Sequence, residues 1–108
     1  MLKLRNDKSE PIHPGLFFRH EYRLLMEPLL TQTGAARKLH WSVAQMRDFE
    51  LGRRGVTAEK ALALADLTGE SAEFWLSLQV RFDLWHAIRD RKRRDRLKRS
   101  RTRVVAGD

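Results

Sequence analysis

AARKLHWSVAQMRDF, residues 35–49, decides how the chain folds. Ala35, Ala36, Leu39, Met46 and Phe49 recur at helical spacing, yet His40-Trp41-Ser42 interrupts the run with poor helix formers. Ser42 followed three residues later by Gln45 is a capping box. In it the serine oxygen takes a free backbone N–H of the new helix and the glutamine side chain returns to the serine N–H. The stretch therefore predicts two short helices meeting at a corner. Thr31 caps the first; Gly52 closes the second.

Working outward, PIHPG (residues 11–15) marks a helix start, because proline is tolerated in a first turn. Phe18, Tyr22, Leu25 and Leu29 share a face of that helix, expected to end near Met26 or Glu27 ahead of Pro28. Thr57 opens a further helix with Ala61, Leu64, Ala65 and Thr68 on one side and Gly69 at its end. Ser71 opens the last, with Glu73 in the first turn where a negative charge suits the helix dipole. Its apolar residues Trp75, Leu78, Phe82 and Trp85 are spaced three, four, three, a coiled-coil-like seam. Phe74 lies beside it. The seam fades after Ile88. No strand pattern appears, and an all-α fold is expected, with a polar arm over 1–10, a domain over 11–88 and a basic tail over 89–108.

Composition narrows the class. The 108 residues suit one domain; 42% hydrophobic content suits a packed centre and 33% charged content a soluble exterior. With no cysteine there is neither a disulfide nor a thiolate metal site, and a reducing cytoplasm fits. No apolar run reaches membrane-spanning length, so no membrane partner is expected. His13, His20, His40 and His86 are scattered, Glu21 and Glu27 have no nearby nucleophile, and GRRG is too short for a phosphate loop. Neither metal, cofactor nor catalysis is indicated. The net charge of +8 is lopsided: residues 1–80 hold 11 Lys/Arg against 10 Asp/Glu, residues 81–108 hold 11 against 4. A blocky basic end suits a polyanion, or equally a solvated tail.

Residues 32–52 thus read as helix, tight turn, helix, with the small Ala36 where the two helices touch. Such a unit lays its second helix in the major groove of duplex DNA. The outward positions are Ser42, Val43, Ala44, Gln45, Arg47 and Asp48. Gln45 suits adenine, Arg47 guanine or phosphate, and Val43 and Ala44 thymine methyls. Thr31, Gln32 and Thr33, at the start of the preceding helix, suit a phosphate, and Arg53 and Arg54 the DNA backbone. Asp48 and Glu50 put negative charge on the reading helix, so direct base reading is expected to be sparse.

PIHPG, EPLLTQTGAARKL and GRRGVTAEKALALADLTGESAEFWLSLQVRFDL together resemble the HigA-type (VapI-like) antitoxins of the Xre/Cro helix-turn-helix group. The resemblance runs from about Pro11 to Leu84, and its most specific part is GRRGVTAEKALALA with SAEFWLSLQ. It implies a five-helix, lambda-repressor-like domain that forms a homodimer, represses its own operon by binding the operator, and neutralises a HigB-type mRNA endonuclease toxin. A stand-alone Xre-type regulator and a toxin-binding protein that has lost operator reading are the alternatives. Phe74, Trp75, Leu78, Phe82 and Trp85 are the expected dimer contact. His40 stands where the family usually has glycine and must take up or avoid a left-handed backbone. The segment RDRKRRDRLKRSRTR exceeds the family pattern; it either extends the fifth helix or stays mobile.

Overall fold

The computed structural model describes residues 9–106, with side chains to residue 100; most of the expected N-terminal arm lies outside the described residues. Five α-helices follow one another: α1 Pro14–Glu21, α2 Gln32–Leu39, α3 Val43–Glu50, α4 Ala58–Thr68 and α5 Ala72–Ala106. The expected all-α class and the caps at Thr31, Ser42, Thr57 and Gly69 match this order.

The first helix departs from expectation. It stops at Glu21, Tyr22 leaves helical geometry, and a single 3₁₀ turn, Arg23–Leu25, follows. Leu25 and Leu29, expected on the buried face, are 68% and 57% exposed. The reason lies at Arg23. Its guanidinium turns inward to a buried carboxylate, which rotates the chain and swings the following leucines outward. Glu27 accordingly lies past the helix rather than on it. His13 starts α1: its Nδ1 accepts the Gly15 N–H at 2.9 Å. Gly15 lets α1 cross α3 closely, since a Cβ there would stand 1.6 Å from the Phe49 carbonyl oxygen.

The core gathers Phe18 from α1, Ala35, Ala36 and Leu39 from α2, Met46 and Phe49 from α3, Ala61 and Leu64 from α4, and Trp75 and Leu78 from α5. Aromatic edges close it: Phe17 meets Trp75 at 5.7 Å and Trp41 meets Phe49 at 5.3 Å, both near perpendicular, the favoured geometry for such pairs. At the α4–α5 corner the Thr68 hydroxyl donates to Leu64 O and accepts from the Trp75 indole N–H and the Glu70 N–H. Tyr22 donates to Leu67 O, fastening the end of α1 to α4.

Beyond Ile88 the fifth helix runs on without interruption, so the basic segment extends it, and every residue from 89 to 100 is exposed. The molecule measures 67 Å along its longest axis but only 27 and 21 Å across.

Candidate nucleic-acid interface

The corner between α2 and α3 turns on one backbone conformation. His40 takes it up at φ 60, ψ 35, the left-handed region that L residues other than glycine enter at a cost. The N–H groups of His40 and Trp41 then donate to the carbonyls of Arg37 and Ala36, which closes α2 sharply. Ser42 restarts the chain. Its Oγ accepts the Gln45 N–H at 3.0 Å and its N–H donates to Gln45 Oε1 at 2.9 Å, the expected capping box. Met46 and Phe49 anchor α3 in the core, while Val43, Ala44 and Arg47 face solvent.

Three side chains behave differently from their sequence assignment. Glu50 is not a charge on the reading face. It is buried and forms a bidentate pair with Arg23, at 2.6 Å to Nε and 2.7 Å to Nη2. Gln32 donates to that same carboxylate at 3.2 Å, so it is committed inward rather than free for phosphate. Asp48 stays at the surface but is paired with Arg54 at 3.3 Å and lies 4.0 Å from Arg53, which offsets its repulsion for a polyanion. The geometry also qualifies Gln45. With its carbonyl in the cap, the amide N–H groups are what it has left to offer.

Two residues that sequence reasoning did not single out hold the flank of this surface. Lys60 sits 5.5 Å over the Trp41 ring, a cation–π contact beside the turn. Gln79 of α5 accepts the Val56 N–H at 2.8 Å and donates to Asp83 at 3.0 Å, pinning the loop that carries Arg53 and Arg54. The Lys60–Trp41 and Gln79–Val56 contacts join residues 19 and 23 apart in the chain, and neither leaves a local spacing to read.

The expected dimer seam needs correction. Trp75 and Leu78 are 0% and 2% exposed within a single chain, and so are not available to a second copy. Phe74 packs on Phe17, and Phe82 lies against His13. Phe74, Phe82 and Trp85 are each half-buried, and Arg89 stacks over Trp85 at 5.1 Å. Along the body half of α5 the exposed large apolar residues form a different stripe, Val80, Leu84 and Ile88, one helical turn apart.

Thr31 and Thr33 are exposed at the α2 start, and the Thr31 hydroxyl oxygen accepts the Gly34 N–H. Among the described residues no group of three or more acidic or histidine side chains could hold a metal ion, and no helix is long and apolar enough to cross a membrane.

No family model matches the chain. Virulence-associated protein I of Dichelobacter nodosus is 35% identical over 82 residues, spanning 75% of this chain and 73% of that protein. The chain belongs to the HigA-type, VapI-like helix-turn-helix family. Two solved members share its shape. The antitoxin GraA, at 34% identity, gives a TM-score of 0.70 and covers 76% of this chain and 86% of its own. The Pseudomonas aeruginosa antitoxin HigA, solved with the higBA promoter, gives 0.70 at 31% identity over 78% of this chain and 89% of its own. Both are antitoxins rather than enzymes.

Proposed function

We propose that this HigA-type protein is a homodimeric, cytoplasmic antitoxin that binds the operator of its own operon through α3 and neutralises a HigB-type toxin. The observation that carries the DNA reading is the pairing of a rigid cap with a free face. The box at Ser42 and Gln45 holds the start of α3 while Val43, Ala44 and Arg47 project from it. The promoter complex of the P. aeruginosa relative supports the same use of the fold. In this reading Val43 and Ala44 meet thymine methyls, Arg47 reaches guanine or phosphate, and Thr33, Arg53 and Arg54 hold the backbone. Two copies, joined along Val80, Leu84 and Ile88, set their α3 helices about 34 Å apart for successive major grooves.

Binding of wild type and Arg47→Ala to the chain's own promoter and to random DNA tests it. The expected loss is about 1–3 kcal/mol on the promoter and less on random sequence. Equal losses on both would show that Arg47 does not specify sequence. For the toxin, co-expression with the product of an adjacent reading frame should restore growth that the product alone arrests. Capture of that product without operator preference would leave a toxin-binding protein only.

A further inference from the structure

We infer that the protruding half of α5 is a second, sequence-independent DNA-binding element, a rail for the phosphates of duplex DNA. The inference does not depend on α3 reading an operator. It begins from where the charge sits. Residues 9–88, which include the whole helix-turn-helix, carry nine Lys/Arg against ten Asp/Glu, so the folded body has no net positive charge to offer a polyanion. Residues 89–100 carry eight against two, all exposed.

The charge is also ordered. On the body, Trp75 and Leu78 face the core and Phe82 packs on His13, with Trp85 next in the same three-four spacing. Past the body the same alternation of three and four continues through Arg89, Lys92, Arg96 and Arg99, with Arg93 adjacent. These are the positions at which a coiled coil with a second copy needs apolar side chains. Filled with cations, they oppose self-pairing and call for a polyanion. Arg89, Lys92, Arg96 and Arg99 border one shallow groove; Asp95 edges it, and Asp90 falls outside the row. From Arg89 to Arg99 the row spans about 15 Å at the helical rise. A duplex presents about one phosphate charge per 1.7 Å of its axis, so a straight row of that length meets a matching line of negative charge. Single-stranded RNA offers no comparably stiff line.

The test measures salt-dependent binding of full-length protein to a random-sequence duplex of about 30 base pairs, which needs no operator. The variant R89Q/K92Q/R93Q/R96Q/R99Q should keep its helix content and melting temperature. Its log–log salt slope should be shallower by about 4 to 5, and its affinity in low salt at least about a hundredfold weaker. The reverse-side variant R91Q/R94Q/K98Q should move the slope by less than about one. Unchanged binding by the first variant would overturn the proposal, and equal loss per charge from both would overturn the row. Tighter arm-dependent binding to single-stranded RNA than to the duplex would overturn the choice of partner. An arm-dependent slope without promoter preference would sustain this element while ending the operator reading.

Discussion

At the scale of single residues, the Arg23–Glu50 pair is the sharpest case of a charge doing structural rather than binding work. Both side chains are withdrawn from water, Glu50 also takes the Gln32 amide, and Arg23 reaches the Leu30 carbonyl at 3.2 Å. The pair therefore joins the 3₁₀ turn, the entry to α2 and the end of α3. Glu50→Ala strands a buried guanidinium, and unfolding in denaturant should show a loss of about 3–5 kcal/mol. Replacing both partners with apolar residues of similar volume should cost far less, because no unpaired charge is left behind. A loss below about 1 kcal/mol for Glu50→Ala would indicate that water reaches the pair. Arg23 and Glu50 are 27 residues apart. Nothing local distinguishes Glu50 from Asp48, although one is buried and the other faces solvent.

Among the elements, α1 depends on an unusual cap. His13 accepts a hydrogen bond only when neutral, and its ring is enclosed by Phe49 of α3 and Phe82 of α5. Burial pushes its pKa below the ordinary histidine value; Asp83 on α5 opposes this more weakly. The folded state thus binds fewer protons than the unfolded state once pH drops past the unfolded value of about 6.5. Stability is full above that value and is lost as pH falls toward the lowered folded one. Denaturation midpoints at pH 7.5 and 5.5 should show the wild type weakening on acidification. His13→Asn, which keeps an acceptor without a titrating ring, should weaken less. An equal decline in both would place the proton elsewhere.

Most of the elements follow from signals between neighbouring residues. Thr31, Ser42, Gln45, Thr57 and Gly69 announced their helices because a cap is a local bargain between neighbouring residues. The α2–α3 corner is legible for that reason; the sequence leaves open whether His40 takes up or avoids the left-handed backbone, and the structure shows that it takes it up. The end of the first helix is not legible locally, because the decisive partner, Glu50, lies in another helix. Likewise the seam on α5 was visible as periodicity, but periodicity cannot say whether a stripe faces its own core or a second copy. Trp75 and Leu78 show that here it faces the core.

For the whole molecule, that correction moves the proposed assembly surface to another stripe of α5. Val80, Leu84 and Ile88 remain exposed along the body half of α5. Leu84→Asp with Ile88→Asp should convert the proposed dimer to monomer in light scattering while leaving the melting temperature nearly unchanged, since neither side chain enters the core. Persistence of the dimer would move the contact to another face. The overall form follows from α5 too. One helix both completes the core and overhangs it, which is why a chain of this size reaches 67 Å.

The three tryptophans stand in three different surroundings. Trp75 is sealed in the interior with its indole on Thr68, Trp41 lies half-covered beside the α2–α3 corner under Lys60, and Trp85 marks the root of the overhang beneath Arg89. Variants retaining one indole each would give optical reporters for global unfolding, groove engagement and arm engagement. The chain thus comes with its own fluorophores, and events at the two ends of the molecule can be timed separately without attaching a dye.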